Sequence, residues 1–522
     1  MRNSFLLTLV FWSGFVTLGS ELAASRLLAP FFGTSTLVWA ALIGLILIYL
    51  AVGYWLGGRW ADRSPRATTL LGITTWAAFF LGVVPFVATP VLRLALRGFS
   101  ELSGGLLAGS FAGVLVLFSV PLVLLGGVSP FAIRLSMVDL DRAGQIAGRL
   151  YAVSTLGSFL GTLVPVLWLI PVYGTRATFL VFSLSLLALS GAGFVLEHAA
   201  PRALLPLGLG ALIGVAGLVG AAGRTILKPG PGVLFEGESA YHYIRVRTAP
   251  NGFRLLELNE GQGIHSAYRP GEQLTGSVWD FYLLAPLFNP SGGGAASGSA
   301  GARRRWAIIG LAAGSTARSI QAVYGDDPVD GVEIDPEILA VGRRFFDMDQ
   351  LRHLHTIVAD GRTWLTLTPT RYDVIAVDAY RQPYIPFHLT TVEFFRLARD
   401  HLTPRGVVAI NVGRTPNDWR LVNALSATMR QVFPGVFVLD VDDSYNSLVI
   451  GTNQPVTLPE VRANLAALAD PTLASLARRT QGHLGEAPRQ GPIFTDDRAP
   501  VEQVVDLMII DYARSGAVEE ER

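Results

Sequence analysis

The stretch Trp306-Ala-Ile-Ile-Gly-Leu-Ala-Ala-Gly-Ser315, followed by Val332-Glu-Ile-Asp335, decides the fold of the C-terminal half of this chain. An apolar run that predicts a buried strand ends at a turn of small residues, and roughly twenty residues later a second apolar strand ends in an acid. Small residues let the backbone approach a ligand, and a carboxylate at the next strand tip can accept hydrogen bonds from ribose hydroxyls. The pattern therefore predicts a doubly wound sheet that binds an adenosine group.

From Arg303 onward, apolar strands alternate with helical stretches, which predicts a parallel sheet with helices on both faces. The predicted strands are 306–310, 329–334, 354–358, 373–377, 406–412 and 436–440, with a final segment at 445–451. Ligands of such sheets bind at the carboxyl ends of the strands. The strand ends that carry informative residues are Gly310 to Ser315, Glu333 with Asp335, Asp360 with Gly361, and Asp378.

The composition predicts that the N-terminal half lies in a lipid bilayer. The 522 residues are 51% hydrophobic and 16% charged, whereas a soluble domain carries about 25% charged residues. Charged residues are sparse before residue 224 and reach an ordinary density after it. Stretches long enough to cross roughly 30 Å of hydrocarbon as helices lie near residues 4–28, 36–57, 68–90, 105–128, 147–170, 176–196 and 203–223.

Two features of these segments allow different interpretations. Glu21 and Arg26 fall inside the first long stretch, where charges are costly. They are either structural or interfacial, for instance if the helix ends near Ser20, or they belong to a substrate path. The spacing Gly157-x-x-x-Gly161 is typical of helices that pack closely.

The arginine-rich loops conflict with the expected orientation. The arginines concentrate at Arg59, Arg63 and Arg66 and at Arg134, Arg142 and Arg149. The positive-inside rule places both loops in the cytoplasm, and with seven spans the C-terminal half would then lie outside. Because the expected ligand is a cytosolic metabolite, we expect instead that the C-terminal half lies in the cytoplasm. One span is then miscounted, or the charge rule is overridden.

Breaker residues divide the chain further. Lys228-Pro-Gly-Pro-Gly232 ends the membrane region, and Tyr243–Arg247 and Arg254–Leu258 flank a turn at Ala249-Pro-Asn-Gly252, which predicts a β-hairpin. The predicted domains are a membrane domain at 1–227, a hairpin and helix at 233–290, a Gly/Ser-rich linker at 291–302, the α/β domain at 303–455 and a helical extension at 456–522.

The composition also excludes several kinds of site. The chain has no cysteine, so disulfides, thiolate metal sites and cysteine nucleophiles are excluded. The net charge is +1 without a basic stripe, which argues against a nucleic-acid partner. No cluster of His, Asp and Glu has the spacing of metal ligands, so no metal is expected.

The order of the motifs resembles spermidine synthase and related polyamine aminopropyltransferases over about residues 240–455. The hairpin is followed by a Glu-Gly-Gln turn, the small-residue turn, Val332-Glu-Ile-Asp335, an Asp-Gly pair and Tyr372-Asp-Val-Ile-Ala-Val-Asp378. With its helical N-terminal half, the chain is similar to membrane-bound spermidine-synthase-like proteins of bacteria. The resemblance implies a Rossmann-like α/β domain of the class I methyltransferase and spermidine synthase type, preceded by a small β-hairpin subdomain.

The resemblance also implies an activity and a set of site residues. The enzyme would transfer an aminopropyl group from decarboxylated S-adenosylmethionine to an amine and release methylthioadenosine. Asp378 would help to deprotonate the attacking amine, Glu333 would bind the ribose hydroxyls, and Asp360 would hold the adenine. The other cofactor-binding candidates are Gln262, His265, Gly310, Gly314, Asp335 and Gly361, and the substrate-binding candidates are Asp280, Tyr380 and Arg381.

The sequence departs from the family pattern at three places. The turn Gly310-Leu-Ala-Ala-Gly314 has Ala313 where the family has an acid, Asp378-Ala-Tyr-Arg381 has arginine in place of a second acid, and Val278-Trp-Asp280 lacks the family's tyrosine. A cationic diamine prefers carboxylates, whereas an arginine would pair with the carboxylate of intact S-adenosylmethionine.

Two alternatives therefore stay open. In the first, the enzyme uses intact S-adenosylmethionine, either to methylate a lipophilic acceptor or to cleave it to methylthioadenosine. In the second, the chain is a transporter that senses a nucleoside without turnover, because Gly57–Arg63 resembles a loop motif of major facilitator transporters. The sequence also leaves a homo-oligomer open, and His388 is more typical of a turn than of an acid–base group.

Overall fold

The computed structural model describes residues 3–32, 36–99, 105–137, 142–222, 230–239, 241–259, 263–290, 303–381, 383–442, 444–488 and 490–514. The predicted linker at 291–302 and Gln262 lie outside these residues. The chain forms two compact units. The first is Met1–Gly230 with Glu236–Tyr243, and the second is Pro231–Phe235 with Ile244–Arg522.

The first unit is a helical bundle. Among the described residues, seven helical segments are long and apolar enough to cross a membrane, as the hydropathy pattern predicts. A short π-helix at Pro165–Leu169 joins two of the helices. The helices are α1 (Asn3–Phe32), α2 (Thr36–Arg63), α3 (Ala67–Phe99), α4 (Gly105–Gly126), α5 (Val128–Ser136), α6 (Ala143–Val164), α7 (Ile170–Leu196) and α8 (Ala200–Ala222).

Helices α1 and α6 pack with their backbones in contact. A Cβ atom at Gly157 would lie 2.0 Å from the carbonyl oxygen of Phe11, and one at Gly161 would lie 2.1 Å from that of Phe15. Only glycine fits at these two positions, which supports packing as the role of the predicted Gly-x-x-x-Gly spacing.

Helix α1 does not end near Ser20 but continues to Phe32, so that alternative is wrong. The residues that follow Ser20 include Ala24 and Leu28, which are buried in the core of the bundle and favour the helix. Glu21 and Arg26 therefore lie within the helix and not at its end.

Helix α7 is interrupted near its start. Gly174 has a φ of 81° and a ψ of 165°, which is not helical, and glycine adopts positive φ without steric cost. The backbone N–H and the hydroxyl of Thr175 both donate to Oε2 of Glu238, at 2.9 and 2.7 Å. The amide N–H that follows the interruption thus donates its hydrogen bond to a carboxylate that comes after α8, the last helix of the bundle, in the chain.

A small sheet follows the helical bundle in the chain, with its strands in the order β1-β2-β3-β4. The predicted hairpin is present: β2 and β3 pair antiparallel, and Gly252 in their turn has a φ of +83°. The predicted helical stretch that follows is a short helix α9 (Val278–Phe281) continued by a 3-10 helix at Tyr282–Leu287, and both are buried. The strands are β1 (Val233–Glu238), β2 (Tyr243–Thr248), β3 (Arg254–Leu258) and β4 (Ile264–Tyr268).

The second unit then forms a sheet of eight strands, in the order β12-β10-β11-β9-β8-β5-β6-β7. The helices α10 to α17 follow or separate these strands in the chain. The strands are β5 (Trp306–Ile309), β6 (Val329–Glu333), β7 (Leu354–Val358), β8 (Tyr372–Val377), β9 (Leu402–Gly413), β10 (Gly435–Asp440), β11 (Asn446–Thr452) and β12 (Leu484–Glu486). The helices are α10 (Ser315–Tyr324), α11 (Pro336–Phe345), α12 (Gly361–Leu367), α13 (Val392–Asp400), α14 (Arg420–Met429), α15 (Leu458–Ala466), α16 (Pro471–Arg479) and α17 (Val501–Arg514).

The prediction of a parallel sheet is correct for β5 to β9 and wrong for the remaining strands. β5, β6, β7, β8 and β9 pair in parallel, whereas β11 is antiparallel to both β9 and β10, and β12 is antiparallel to β10. The connection 441–445 between β10 and β11 is too short for a parallel crossover, which needs a dozen or more residues. Because β11 is reversed, it begins at the edge of the sheet where β8 and β9 end.

Both faces of the large sheet are covered. Successive residues of β5 alternate between two hydrophobic cores: Trp306 and Ile308 belong to one, Ala307 and Ile309 to the other. This is the pattern of a strand that is buried on both faces. The carboxyl ends of β5, β6, β8 and β9 are thereby held at one edge by a packed sheet.

Candidate active site

The turn after β5 brings the backbone close to the tip of β8. Gly310 has a φ of +89°, and a Cβ atom there would lie 2.5 Å from the carbonyl oxygen of Asp378. Ala312 is also in the left-handed region with a φ of 49°, and Gly314 has a φ of +88° just before α10. The N–H of Asp378 donates to the carbonyl oxygen of Ile309 at 2.8 Å. The predicted small-residue turn is therefore a tight turn at the carboxyl edge.

Glu333 lies at the end of β6 with its side chain buried. Its Oε2 accepts the backbone N–H of Ala312 at 2.9 Å, and its Oε1 accepts that of Asp335 at 3.2 Å. The side chain is thus fixed between the turn and its own strand end by two backbone donors.

Asp335 is fully buried and caps α11, because its side chain accepts the backbone N–H of Glu337 at 3.0 Å. This contact is a helix N-cap. Of the two acids in the predicted motif, Glu333 is the one whose carboxylate contacts the turn after β5.

Asp360 precedes α12 and has two partners. Its Oδ1 accepts the backbone N–H of Thr363 at 2.9 Å, and its Oδ2 lies 3.1 Å from Nε2 of His388. Partial burial opposes ionisation, but these contacts outweigh it and hold the pKa of Asp360 below its ordinary value. A Cβ atom at Gly361 would lie 2.3 Å from Cγ2 of Ile309, so α12 packs directly on β5. The contact of His388 with Asp360 was not predicted.

Asp378 follows β8 and has a different environment. Burial raises the pKa of its carboxyl to about 7, against the opposing effect of hydrogen bonds from the Asn411 and Trp279 side chains. The bond from Nδ2 of Asn411 to Oδ1 of Asp378 is 2.8 Å long. A carboxyl group with a pKa near neutrality can both lose and accept a proton at physiological pH.

Two tyrosines anchor the surroundings of Asp378. The hydroxyl of Tyr282 donates to the carbonyl oxygen of Val377 at 2.8 Å, and that of Tyr380 donates to the carbonyl oxygen of Asn411 at 3.0 Å. Burial raises the pKa of both hydroxyls, so they stay protonated. Tyr380 lies close enough to Asp378 for the charge of that carboxyl to contribute to the raised pKa of its hydroxyl.

The structure gives Asp280 contacts within the chain. Its side chain is fully buried and accepts the backbone N–H of Gly276 at 2.6 Å, that of Thr275 at 3.0 Å and the hydroxyl of Ser319 at 2.7 Å. Burial raises the pKa of Asp280. These donors hold the turn before α9 against α10.

The other predicted substrate residue is on the surface. The Arg381 side chain is exposed, and its backbone N–H donates to the carbonyl oxygen of Tyr384 at 2.8 Å in a tight turn. His265 lies on β4. The next residue of this strand is Ser266, and its Oγ accepts a hydrogen bond from the backbone N–H of Ala313 at 2.9 Å. Ser266 therefore contacts the turn, which the sequence pattern did not predict.

Within the described ranges, no group of three or more His, Cys, Asp or Glu side chains is arranged to hold a metal ion. The polar groups at this edge are instead carboxylates, amides and tyrosine hydroxyls. They can bind hydroxyl and amino groups and accept a proton.

Comparison with known proteins identifies the domain. Residues 297–441 match the spermine/spermidine synthase domain. The chain is 29% identical over 301 residues, 53% of its length and 64% of the relative's, to a probable polyamine aminopropyl transferase of Bifidobacterium longum. It is 31% identical over 171 residues, 32% of its length and 52% of the relative's, to a polyamine aminopropyltransferase of Vibrio vulnificus.

The chain thus spans less than two thirds of the length of each of these relatives. A crystal structure of a probable spermidine synthase from Corynebacterium glutamicum aligns with 51% of this chain and 98% of that chain, at 21% identity and a TM-score of 0.38. The predicted resemblance and the fold of the C-terminal domain are confirmed by the domain match.

Proposed function

We propose, from the spermine/spermidine synthase domain that this chain carries, that it is a membrane enzyme that transfers an aminopropyl group to an amine. Its co-substrate would be decarboxylated S-adenosylmethionine, and it would release methylthioadenosine. The relatives are named polyamine aminopropyltransferases. The observation that carries the proposal is the Asp378 carboxyl, with a pKa of about 7, beside the tight turn at Gly310.

In this proposal the acids of the site have separate roles. Glu333 accepts hydrogen bonds from the ribose hydroxyls, and Asp360 accepts one from the adenine amino group. The Gly310 turn lets the ligand approach the backbone. The reacting carbon of the sulfonium then lies toward Asp378.

The reaction is a displacement at the carbon bonded to the sulfonium. The amine lone pair forms the new C–N bond, the C–S bond breaks, and its electron pair leaves a neutral thioether. Asp378 takes the proton that the new ammonium loses. The leaving group needs no protonation, so alignment of the two reactants and one proton acceptor are sufficient.

The test is to identify the released nucleoside. Purified protein is incubated with decarboxylated or intact S-adenosylmethionine, each with and without putrescine, and the products are analysed by mass spectrometry. We expect methylthioadenosine only from the decarboxylated form together with the diamine. Nucleoside binding without any product would instead support the sensing transporter.

A second candidate uses intact S-adenosylmethionine. The observation that favours it is the scarcity of acids for a cationic diamine: Asp280 is buried against its own chain, and Arg381 occupies the position of a second acid. Arg381 would pair with the substrate carboxylate. Methylthioadenosine from the intact form alone would establish cleavage, and S-adenosylhomocysteine would establish methyl transfer.

We also propose that the first unit is integral to a bacterial inner membrane, with the catalytic unit in the cytoplasm. The support is the set of seven apolar helical segments and the cytosolic origin of the proposed substrates. Because the chain has no cysteine, Ser64→Cys and Ser297→Cys give single-thiol proteins without further changes. Protection of the Ser297→Cys thiol from a membrane-impermeant maleimide in intact cells is the expected result.

The same two thiols also resolve the conflict over orientation. Seven complete crossings place the two positions on opposite sides, so the Ser64→Cys thiol would be labelled. Protection of both thiols would mean that one apolar segment does not cross. Labelling at Ser297→Cys would place the catalytic unit outside and contradict the proposal.

A further inference from the structure

Three neighbouring strands meet at the edge of the sheet beside Asp378. Asp378 follows β8, Asn411 lies near the end of β9, and Asn446 is the first residue of β11. Asn446 pairs with Gly413 in the antiparallel register of β9 and β11. The reversal of β11 therefore brings the start of one strand to the ends of the other two.

A continuous chain of side-chain hydrogen bonds crosses these strands. The Oγ of Ser444 donates to Oδ1 of Asn446 at 2.8 Å. The Nδ2 of Asn446 donates to Oδ1 of Asn411 at 2.9 Å, and the Nδ2 of Asn411 donates to Oδ1 of Asp378 at 2.8 Å. This chain of hydrogen bonds ends at the carboxyl group of Asp378, which the proposed mechanism uses as the base.

The direction of this hydrogen-bond chain follows from chemistry. An ionised carboxylate only accepts hydrogen bonds, so Asn411 must turn its NH2 group toward Asp378. The oxygen of Asn411 then faces Asn446, which must present its own NH2 group. The oxygen of Asn446 is left for Ser444, whose hydroxyl donates. Each amide thus has one orientation, and that orientation is set by a charged Asp378.

The elements that carry the hydrogen-bond chain are fixed. Asn411 is buried, and its carbonyl oxygen accepts the hydroxyl of Tyr380. The turn that holds Ser444 is bound to the end of β9, because Nη2 of Arg414 donates to the Ser444 carbonyl oxygen at 3.2 Å. The backbone N–H of Arg414 donates to the carbonyl oxygen of Tyr445 at 2.7 Å.

From this geometry we propose that Asn411, Asn446 and Ser444 are positioning residues that hold Asp378 in one rotamer and favour its charged form. The inference rests on the role of Asp378 in the proposed function. We call these three residues together with Asp378 the relay, and the proposal assigns no substrate contact to the three. It acts through the orientation of two amides.

The relay opposes the effect of burial. Burial alone disfavours the charged form of Asp378, and the Asn411 bond lowers its pKa. The titratable side chains of the described residues that face Asp378 are Tyr282 and Tyr380, which burial keeps neutral. Loss of the Asn411 donor should therefore raise the pKa of Asp378 further and lower its ionised fraction at neutral pH.

The experiment follows the ionisation of Asp378 by infrared difference spectroscopy of the full-length protein. The carboxyl band is assigned by its loss in Asp378→Asn. We expect Asn411→Leu to lower the ionised fraction of Asp378 at pH 7 at least tenfold, and Asn446→Leu to lower it less. The acid limb of kcat/KM moves to higher pH by the same shift.

Asn446→Asp gives the sharpest test because it nearly preserves shape. The new carboxylate only accepts, so it draws the NH2 group of Asn411 to itself and turns the Asn411 oxygen toward Asp378. Asp378 can then form this hydrogen bond only when protonated. The loss of ionisation should exceed that in Asn446→Leu.

The matched control is Asn453→Asp, the same change beyond the other end of β11. Asn453 donates from Nδ2 to the carbonyl oxygen of Thr403 at 3.0 Å. Asn453 lies seven residues from Asn446, which is roughly 23 Å along a strand. The Asn453→Asp change should therefore leave the Asp378 band unchanged. Thermal unfolding checks that each variant folds. If Asn446→Leu is unfolded, Ser444→Ala replaces it, and we expect a smaller shift of the Asp378 titration in the same direction.

The outcomes separate the relay from the proposed function. The relay is overturned if the titration of the Asp378 band is the same in Asn411→Leu as in the unchanged protein. It is also overturned if the titration shifts in Asn446→Asp but not in Asn446→Leu, because the shift would then come from the added charge alone. If the band shifts as expected while Asp378→Asn keeps full turnover, the relay stands and Asp378 is not the base. If Asp378→Asn is inactive but the band does not shift, the base stands without the relay.

Discussion

The acids at the two ends of the candidate site lie in opposite environments. At the proposed nucleoside end, Glu333 and Asp360 accept backbone N–H groups, and the pKa of Asp360 lies below its ordinary value. At the proposed reactive end, burial raises the pKa of Asp378 to about 7. The same chemical group is thus a permanent acceptor at one end and a proton acceptor at the other.

Removal of the reactive acid should have the largest effect. Asp378→Asn keeps the shape and the Asn411 contact but cannot take a proton, so kcat should fall 10²- to 10⁴-fold, the usual range for a general base. Nucleoside affinity, measured by calorimetry with methylthioadenosine, should be nearly unchanged.

Asp373→Asn provides the control, because Asp373 lies at the opposite end of β8 and accepts hydrogen bonds from Arg305 and Thr403. It should lower stability without changing kcat. If Asp378→Asn instead weakens nucleoside binding and keeps its kcat, the assignment of the two ends is reversed.

The second prediction concerns pH. Asp378 accepts a proton only when ionised, and with a pKa of about 7 its ionised fraction falls tenfold for each pH unit below 7. From pH 8 to pH 5, kcat/KM should therefore fall about 100-fold. Asp360 stays ionised over this range because its pKa is lowered, so nucleoside affinity should stay constant. If the acid limb of the kcat/KM profile instead lies near pH 4, the pKa of Asp378 does not differ from that of an ordinary carboxyl, and the contrast between the two ends is lost.

The third prediction addresses the nucleoside end. The Ala312 and Asp335 N–H groups donate to different oxygens of Glu333. In Glu333→Gln, an NH2 group replaces one of these oxygens and faces a backbone donor that it cannot accept. Loss of a charged hydrogen bond costs about 1.5–3 kcal/mol, so nucleoside affinity should fall roughly 10- to 100-fold, with a smaller change in kcat. Calorimetry and steady-state kinetics measure the two effects. Glu337→Gln, a change at an exposed acid in the first turn of α11, should change neither.

The smallest effect is expected from a contact behind Asp360. Arg362 bonds Asp496 through Nη1 and Nη2 at 2.7 and 2.6 Å, and Nη1 also donates to the carbonyl oxygen of His388 at 3.0 Å. Asp496→Asn weakens this support of His388. The pair is partly exposed, so the loss is below about 1 kcal/mol.

Nucleoside affinity should therefore fall two- to fivefold in Asp496→Asn, as a direct titration would show. The exposed neighbour in Asp497→Asn should have no effect. A loss in kcat without a loss of affinity would place the Arg362 contact at the reactive end instead.

The sequence predicted the backbone of the site better than its side-chain contacts. Gly310 and Glu333 follow from local signals, because small residues and strand ends are visible in a short window. The bonds from Asn411 to Asp378 and from Asn446 to Asn411 depend on the order and direction of strands far apart in the chain. The expectation of a parallel sheet would have placed Asn446 at the wrong edge.

Side-chain burial limited the prediction in a similar way. The resemblance implies a substrate contact for Asp280, which stays a prediction, whereas its hydrogen bond from Ser319, on a helix 39 residues away, depends on packing that the sequence does not show. Asp335 and Glu333 are equivalent in a motif, and only the geometry shows that Asp335 caps α11.

The interruption of α7 has a consequence for biosynthesis. The acceptor of the Thr175 amide, Glu238, lies 63 residues further along the chain. A ribosome that adds 5–20 residues per second needs roughly 3–13 s to make that segment. The helix that contains this amide ends at Leu196, so for the later part of the interval the helix is complete while the amide still lacks its final acceptor. The native bundle can therefore be finished only after translation has passed its last helix.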